Sequence, residues 1–185
     1  SESAQVHFAY QEEQLGTGHA VQCAVSILPG GCNEVVILCG DVPLIRVATI
    51  TELIEDHLSA ARDISLLAVE VENPYGYGRV LVDDKRQVFG IIEESDASAV
   101  QKQIKLINAG IYCINKSFLL KALPRIRTNN AQNELYLTDI MGIGHSENRN
   151  IGVMIGTDPS EVIGVNTIQE LNRVETIMQS RSLRS

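Results

Sequence analysis

The sequence predicts an α/β protein with a mixed sheet flanked by helices, and three observations carry that prediction. Val35-Val36-Ile37-Leu38-Cys39 is a continuous apolar run without alternation, the pattern of a strand buried on both faces in a parallel sheet. Ile64 to Val71 repeats the pattern, and between the two runs Val47, Ile50, Leu53, Ile54 and Leu58 recur at helical spacing. Arg79 to Val82 and Val88 to Glu93, joined by a turn at Asp83-Asp84-Lys85, then read as a hairpin, an antiparallel addition to the α/β core.

A length of 185 residues suits one domain with a real core, spanning residues 1–185. The apolar share of 44% and charged share of 21% are those of an ordinary globular chain. A net charge of −8 argues against nucleic acid as a partner, because phosphate backbones repel an acidic surface. No apolar run approaches the roughly 20 residues that span a bilayer, and no secretory signal is visible, so no membrane partner is expected. Cys23, Cys32, Cys39 and Cys113 are widely spaced with no CxxC, which reads as buried free thiols in a reducing, cytoplasmic setting.

Taken in order, Val6 to Tyr10 reads as a short strand. Gly16-Thr17-Gly18 stands at the start of a helix in which Ala20, Val21, Ala24, Val25 and Leu28 share a face, and Pro29-Gly30-Gly31 ends it. After the Val35–Cys39 strand, Gly40 lets the backbone turn, and Asp41 stands just past the strand's carboxyl end, where open α/β sheets bind ligands. Pro43 stops further pairing. Residues 73–79 form a turn-rich loop, and Asp96 caps a short helix reaching about Gln103. Ile104 to Ile114 is strand-like around Asn108-Ala109-Gly110, and a helix follows over Ser117 to Leu123. Asn129 to Glu134 reads as an exposed loop, Tyr136 to Ser146 as a helix and Ile151 to Ile155 as a strand. Val162 to Asn166 reaches another strand end. Thr167 with Glu170 makes a capping box for a last helix lined by Ile168, Leu171, Val174, Ile177 and Met178.

The candidate chemistry is that of oxygens, amides and glycines. His7, His19, His57 and His145 are scattered, and no Ser-His-Asp or Cys-His pairing has local support; each reads as a surface or packing histidine. Asp41, Asn108 and Asn166 each follow or interrupt a strand-like run. Gly16-Thr17 and Gly78 allow close backbone approach, and Glu93 ends a hairpin strand. A carboxylate at Asp41 serves either as a ligand for a hard divalent cation or as the cap of a turn. Such a set without a nucleophile suits recognition of a phosphorylated sugar or nucleotide with Mg²⁺, and does not suit acyl-enzyme chemistry.

Seven segments occur in order: EEQLGTGHA, ILCGDVPLI, NPYGYGRV, GIIEE, LINAGIY, NELYLTDI and GVNT. Together they resemble the uridylyltransferase domain of the bacterial bifunctional N-acetylglucosamine-1-phosphate uridylyltransferase family, from about Val6 to the last helix. The resemblance implies a Rossmann-like nucleotide-diphospho-sugar transferase fold with a mixed, mostly parallel sheet. It implies UTP and N-acetylglucosamine 1-phosphate as substrates, Mg²⁺ as cofactor, and UDP-N-acetylglucosamine and pyrophosphate as products. Gln11, Gly16 and Thr17 match the positions that hold the uracil base. Cys39-Gly40-Asp41 matches the segment that contacts nucleotide and metal, with Asp41 as catalytic Mg²⁺ ligand; family members often carry Tyr where Cys39 stands. Gly78, Glu93 and Asn108 match positions that bind the N-acetylglucosamine moiety, and Asn166 matches the second protein ligand of Mg²⁺. Arg79, Glu94 and Asp139 match family motifs and read as structural support.

Family members open with a strand and a glycine-rich loop of the form LAAGxGTRMxSxxPK, and they carry an acetyltransferase half after this domain. Neither occurs in these residues, and residue 1 is Ser. The expectation is therefore the middle and end of one nucleotidyltransferase domain. Its Val35–Cys39 strand would have an unpaired edge; either it would form a homo-oligomer joined or swapped there, or a first segment would have been cleaved off after folding, and its own activity would be near background unless such a segment stays bound. Two other readings stay open: a nucleotidyltransferase of the same fold using another base or sugar, and a non-catalytic sugar-nucleotide-binding module.

Overall fold

The computed structural model describes residues 6–84 and 87–182. In chain order the elements are α1 (Thr17–Ala24), β1 (Glu34–Ile37), α2 (Val47–Ser59), β2 (Ile64–Glu70), β3 (Arg79–Val82), β4 (Val88–Ile92), β5 (Leu106–Asn115), α3 (Lys116–Ala122), α4 (Asp139–Ser146), β6 (Ile151–Gly156) and α5 (Ile168–Ser182). The turn between β3 and β4 includes Asp83 and Asp84; Lys85 lies outside the described residues.

The apolar run that forms β2 is central and buried along all but its last residue. Its side chains alternate between two cores, as a period of two requires. Ile64, Leu66 and Ala68 pack with Phe118, Leu119, Ile140 and Met141 of α3 and α4. Leu67 and Val69 pack with Leu53 of α2 and with Ile107, Ile111 and Val162 on the other side. Two buried faces explain why this strand reads as an unbroken apolar run.

The sheet runs β4-β3-β5-β2-β6, with β1 also on β5. It is the mixed sheet of an α/β domain, flanked by helices. β1, β2, β3 and β6 point the same way, but the oppositely directed β5 is inserted among them. As a result β2–β6 is the parallel pairing, and the β1–β5, β2–β5, β3–β5 and β3–β4 pairings are antiparallel.

β5 also creates the main opening of the molecule. One of its edges is shared by two strands: β1 pairs with Tyr112–Asn115, and β3 meets it at Ile107. The Asn108 N–H still donates to the Gly78 carbonyl at 2.9 Å, but over Ala109–Ile111 neither ladder continues. There the register with β2 jumps, with Leu66 opposite Tyr112 but Ala68 opposite Asn108, and Gly110 takes φ +71°. This is a β-bulge in a central strand, a device that re-aims side chains and is common beside functional sites.

Several expectations are corrected. Val6 to Tyr10 is not a strand; Val6, Phe8 and Tyr10 are strongly exposed and no described strand pairs with them. β1 has the unpaired edge expected of it, since among the described residues it pairs only with β5, but it is not buried on both faces: Val36 is exposed, as is Leu38 just past its end. An apolar run without alternation does not by itself distinguish a central strand from an edge. The helix expected after Asp96 is a single 3₁₀ turn at Gln101–Gln103. Val162–Asn166 is not a strand end: a 3₁₀ turn over Pro159–Val162 leads into irregular chain. In α5, Val174 is buried but Ile168, Leu171 and Met178 are exposed. The four cysteines are free, yet only Cys113 is buried and Cys39 is exposed.

His57 is a satisfied core histidine, as a packing role requires. Its Nδ1 lies 2.9 Å from Ser65 Oγ and its Nε2 3.0 Å from Glu34 Oε2, while Glu34 Oε1 accepts from Asn115 Nδ2 at 3.2 Å. This network ties the edge strand β1 to α2, β2 and β5. Among the described residues no helix is long and apolar enough to cross a membrane.

Candidate active site

A cavity of about 390 Å³ sits at the gap in the β5 edge, within the size range of small-molecule sites. Cys39 and Asp41 reach it from the chain beyond β1, Gly78 from the start of β3, Glu93 from just past β4, and Asn108 from the bulge of β5. Gly164, Asn166 and Glu170 close it from the segment that leads into α5. Six of the residues singled out in the sequence, Cys39, Asp41, Gly78, Glu93, Asn108 and Asn166, therefore line one cavity.

The bulge organises one side of this cavity. Asn108 Oδ1 accepts the Gly110 N–H at 3.0 Å, and Asn108 Nδ2 donates to the Tyr112 hydroxyl at 2.7 Å. In a regular strand residues four apart are separated by roughly 13 Å. The bulge brings the two side chains together and leaves Asn108 in a single orientation. Gly110 also admits Cys39: a Cβ added at Gly110 would stand 2.5 Å from Cys39 Sγ. The Cys39 thiol donates to the Gly110 carbonyl at 3.4 Å. Although the residue is exposed overall, partial desolvation of the sulfur against Gly110 raises its pKa, and the nearby Asp41 and Glu93 raise it further, so it remains a protonated thiol.

Glu93 lies against the backbone of Gly78, where an added Cβ would come within 3.0 Å of Glu93 Oε2. Its other oxygen accepts from Thr138 Oγ1 at 2.9 Å. Burial raises the Glu93 pKa; the Thr138 hydrogen bond opposes this, and Asp96 and Asp139 add to it. The loop over Gly78 is held by Arg79, which is buried and bonds Glu94 Oε2, the Tyr77 carbonyl and the Lys102 carbonyl. Glu94 Oε2 also accepts from the Gly76 N–H at 3.3 Å. The structural-support reading of Arg79 and Glu94 matches this arrangement.

A raised carboxylate pKa fixes a sign for stability. Protonated Glu93 is tolerated by the folded state, and ionisation inside the cavity costs stability as pH rises through the raised value. Glu93→Gln is therefore expected to increase the melting temperature at neutral pH. The gain should shrink as pH falls and vanish below the ordinary glutamate range. Thermal melts of both proteins across pH check this, and a gain that grows on acidification is the opposite of what the geometry requires.

The metal question rests on Asp41 and Asn166. A Cβ built on Gly164 would lie 3.6 Å from Asp41 Oδ2 and 3.5 Å from Asn166 Nδ2, so both side chains end beside Gly164. The two segments are joined by the Val165 N–H donating to the Asp41 carbonyl at 2.9 Å. Glu170 accepts from the N–H groups of Asn166 and Thr167 at 2.8 and 2.9 Å, and its own N–H donates to Thr167 Oγ1 at 3.2 Å, which completes the capping box. Neither the Asp41 carboxylate nor the Asn166 carboxamide hydrogen-bonds a described residue, so both are available. One carboxylate and one carboxamide oxygen fit Mg²⁺, which keeps waters and takes further ligands from substrate phosphates. No group of three or more His, Cys, Asp or Glu among the described residues is placed to enclose a metal by itself.

Gln11, Gly16, Thr17 and Gly40 do not line the cavity. Gly40 needs no special conformation: its φ is not positive, and a Cβ there would meet open space. The other three form a separate cluster on the 134–137 segment. The Leu137 N–H donates to Thr17 Oγ1 at 3.0 Å, and the Gly18 N–H to the Leu135 carbonyl at 2.7 Å. Since Leu137 bonds Thr17 and the next residue, Thr138, bonds Glu93, the two clusters are one residue apart along the chain. Tyr112, Thr138, Gly164 and Glu170 were not singled out as site residues. Tyr112, Thr138 and Gly164 stand inside the quoted segments, but a buried hydroxyl that orients a neighbour leaves no local pattern.

A larger recess of about 610 Å³ lies beyond Tyr77 and Val162. Its Lys105 is paired with Glu72 at 2.7 Å, and none of the residues singled out in the sequence lines it.

A family model described as nucleotidyl transferase matches residues 1–158. Among curated relatives, the "Bifunctional protein GlmU" of Geotalea daltonii is 44% identical over 181 residues, covering 98% of this chain and 40% of that protein. The protein of the same name from Clostridium perfringens is 43% identical over 179 residues, covering 97% and 39%. That from Trichlorobacter lovleyi is 39% identical over 178 residues, covering 96% and 39%. The chain spans about two fifths of the length of these relatives. With the family model matched over most of its length, on an open mixed sheet flanked by helices, the chain belongs to the nucleotidyl transferase family.

Proposed function

We propose that this chain carries the sugar and base sites for uridylyl transfer from UTP to N-acetylglucosamine 1-phosphate, giving UDP-N-acetylglucosamine and pyrophosphate. The observation that carries the reading is the gathering of Asp41 and Asn166, both uncommitted, with Gly78, Glu93 and Asn108 around one cavity. The family match and the relatives' extent of identity support the same class.

In this reading a phosphate oxygen of the sugar phosphate forms a bond to the α-phosphorus of UTP, and the bond to pyrophosphate breaks. The attacking oxygen is already ionised, so no protein nucleophile is needed, in keeping with a Cys39 thiol held protonated. Gly78 leaves room for the sugar ring, and Glu93 and Asn108 orient it. Gln11, Gly16 and Thr17 hold the base one residue away along the 137–138 link. Asp41 and Asn166 are the side chains that would hold Mg²⁺. Bound there, the cation supplies positive charge against phosphate oxygens in the transition state.

The test is pyrophosphate release across nucleotide and sugar-phosphate pairs by a protein that joins this chain to the glycine-rich opening segment of the family. UTP with N-acetylglucosamine 1-phosphate is expected to give the highest kcat/KM. A different best pair would reassign the substrate within the family. Tight binding of UDP-N-acetylglucosamine with no pyrophosphate release from any pair would make the chain a binding module instead.

A further inference from the structure

Gln11 is held in a way that decides what it can present to a base. Its Nε2 lies 3.2 Å from the Gly16 carbonyl oxygen and 3.1 Å from His19 Nδ1. A backbone carbonyl only accepts, so the group facing it must be the amide NH₂. The same NH₂ then donates to His19, whose Nδ1 must carry a lone pair. The proton of a neutral His19 is thereby assigned to Nε2, which faces Cys23 Sγ at 3.8 Å. Both amide hydrogens of Gln11 are committed, and Oε1 takes no hydrogen bond from a described residue. Gln11 is half-buried, and its oxygen is what remains to offer.

We propose that His19 is a positioning residue that fixes the Gln11 carboxamide with its oxygen toward the base, so that the site selects a pyrimidine whose ring N3–H donates. Uracil presents that donor. Cytosine presents a lone pair at N3, which would face the Gln11 oxygen unpaired, and such mismatches are rejected strongly at hydrogen-bonding sites. The inference rests on the reading of Gln11, Gly16 and Thr17 as the base site, and it adds the residue that sets its selectivity. The Gly16 carbonyl alone anchors one amide hydrogen and leaves the carboxamide plane free to swing. The second bond, to His19, fixes that plane. His19 stands three residues after Gly16, one turn into α1, so the helix itself delivers the imidazole to this place.

The experiment compares UTP and CTP binding to the wild-type chain, His19→Leu and His19→Asn by calorimetric titration. The wild type should prefer UTP. His19→Leu should reduce the UTP-to-CTP affinity ratio by about tenfold or more, the size of one lost orienting hydrogen bond. His19→Asn, whose Oδ1 accepts in place of Nδ1, should recover most of the ratio, which a merely structural role would not produce. An unchanged ratio in a folded His19→Leu protein overturns the role of His19 and leaves the base site standing. A wild type that binds UTP no better than CTP overturns the base site and this inference with it. Two-bond ¹H–¹⁵N correlation of the His19 ring tests the assignment without any variant: a neutral ring protonated at Nδ1 would refute it.

Discussion

Asp41→Ala, in a protein that joins this chain to the glycine-rich opening segment of the family, is expected to lower nucleotidyl transfer by about 100- to 1,000-fold, the loss typical when one preorganised charge is removed from a phosphate or oxyanion site. The fold should barely notice. The Asp41 side chain is exposed and bonds no described residue, and the contact that ties its segment to the 164–166 chain is made by its backbone carbonyl. Stability should change by less than about 0.5 kcal/mol, as for other exposed positions without special contacts. The metal reading adds a second readout. Mn²⁺ titrated in the presence of UTP should bind the wild type and be largely lost from Asp41→Ala, with Asn166→Ala showing a smaller loss in the same direction. Asp41→Asn keeps an oxygen but not the charge, so it should fall between wild type and Ala. Turnover and Mn²⁺ binding both at wild-type level in Asp41→Ala would remove this residue from the chemistry.

How far the sequence revealed this site depended on which kind of signal each residue leaves. The paired apolar runs of β1 and β2, the helix between them and the β3–β4 hairpin were all legible, because periodicity follows from which faces are buried. The exposure of β1 was not legible in its residues. Its apolar pattern looks the same whether both faces are buried or one is open, and the unpaired edge, left because β1 pairs with β5 alone among the described residues, was expected only from the resemblance. The insertion of β5 against the direction of β2 was equally hidden, because strand direction is decided by pairings distant in sequence. Asp41, Gly78, Asn108 and Asn166 stood out by position, each next to a strand-like run or in a turn. What made Asn108 useful did not stand out. The bulge at Gly110 and the Tyr112 hydroxyl act through a register jump that no local residue pattern encodes. Val6 to Tyr10 misled for a related reason: alternation of apolar residues predicts a strand only where a neighbouring strand is available to pair.

Gly16→Ala should be the most damaging single-methyl change in the cluster of Gln11, Gly16 and Thr17, destabilising the protein by about 3 kcal/mol or more. Two independent costs add. Gly16 has φ +110° and ψ 176°, a region that residues with a Cβ essentially do not enter, at a cost of roughly 1–3 kcal/mol. The added methyl would also stand 2.7 Å from the Leu135 carbonyl oxygen, 2.8 Å from its nitrogen and 2.9 Å from Glu134 Cβ. Two of those neighbours are backbone atoms, and they cannot rotate away. They are also bonded to the same segment: the Leu135 N–H donates to the Leu15 carbonyl at 2.7 Å, and the Leu135 carbonyl accepts from Gly18 at 2.7 Å. Relief of the clash therefore breaks the bonds that seat residues 15–18 on the 134–137 chain. It also moves the Gly16 carbonyl on which Gln11 is anchored. Gly30→Ala is the matched control, since nothing lies within 4 Å of its Cβ position and its φ is not positive. Urea unfolding should show a large drop in midpoint for Gly16→Ala and almost none for Gly30→Ala. If residual folded Gly16→Ala protein is isolated at low temperature, it should bind UTP less well than wild type while its affinity for N-acetylglucosamine 1-phosphate falls much less. Equal midpoints for the two variants would show that the 15–18 segment is not pinned as the geometry requires.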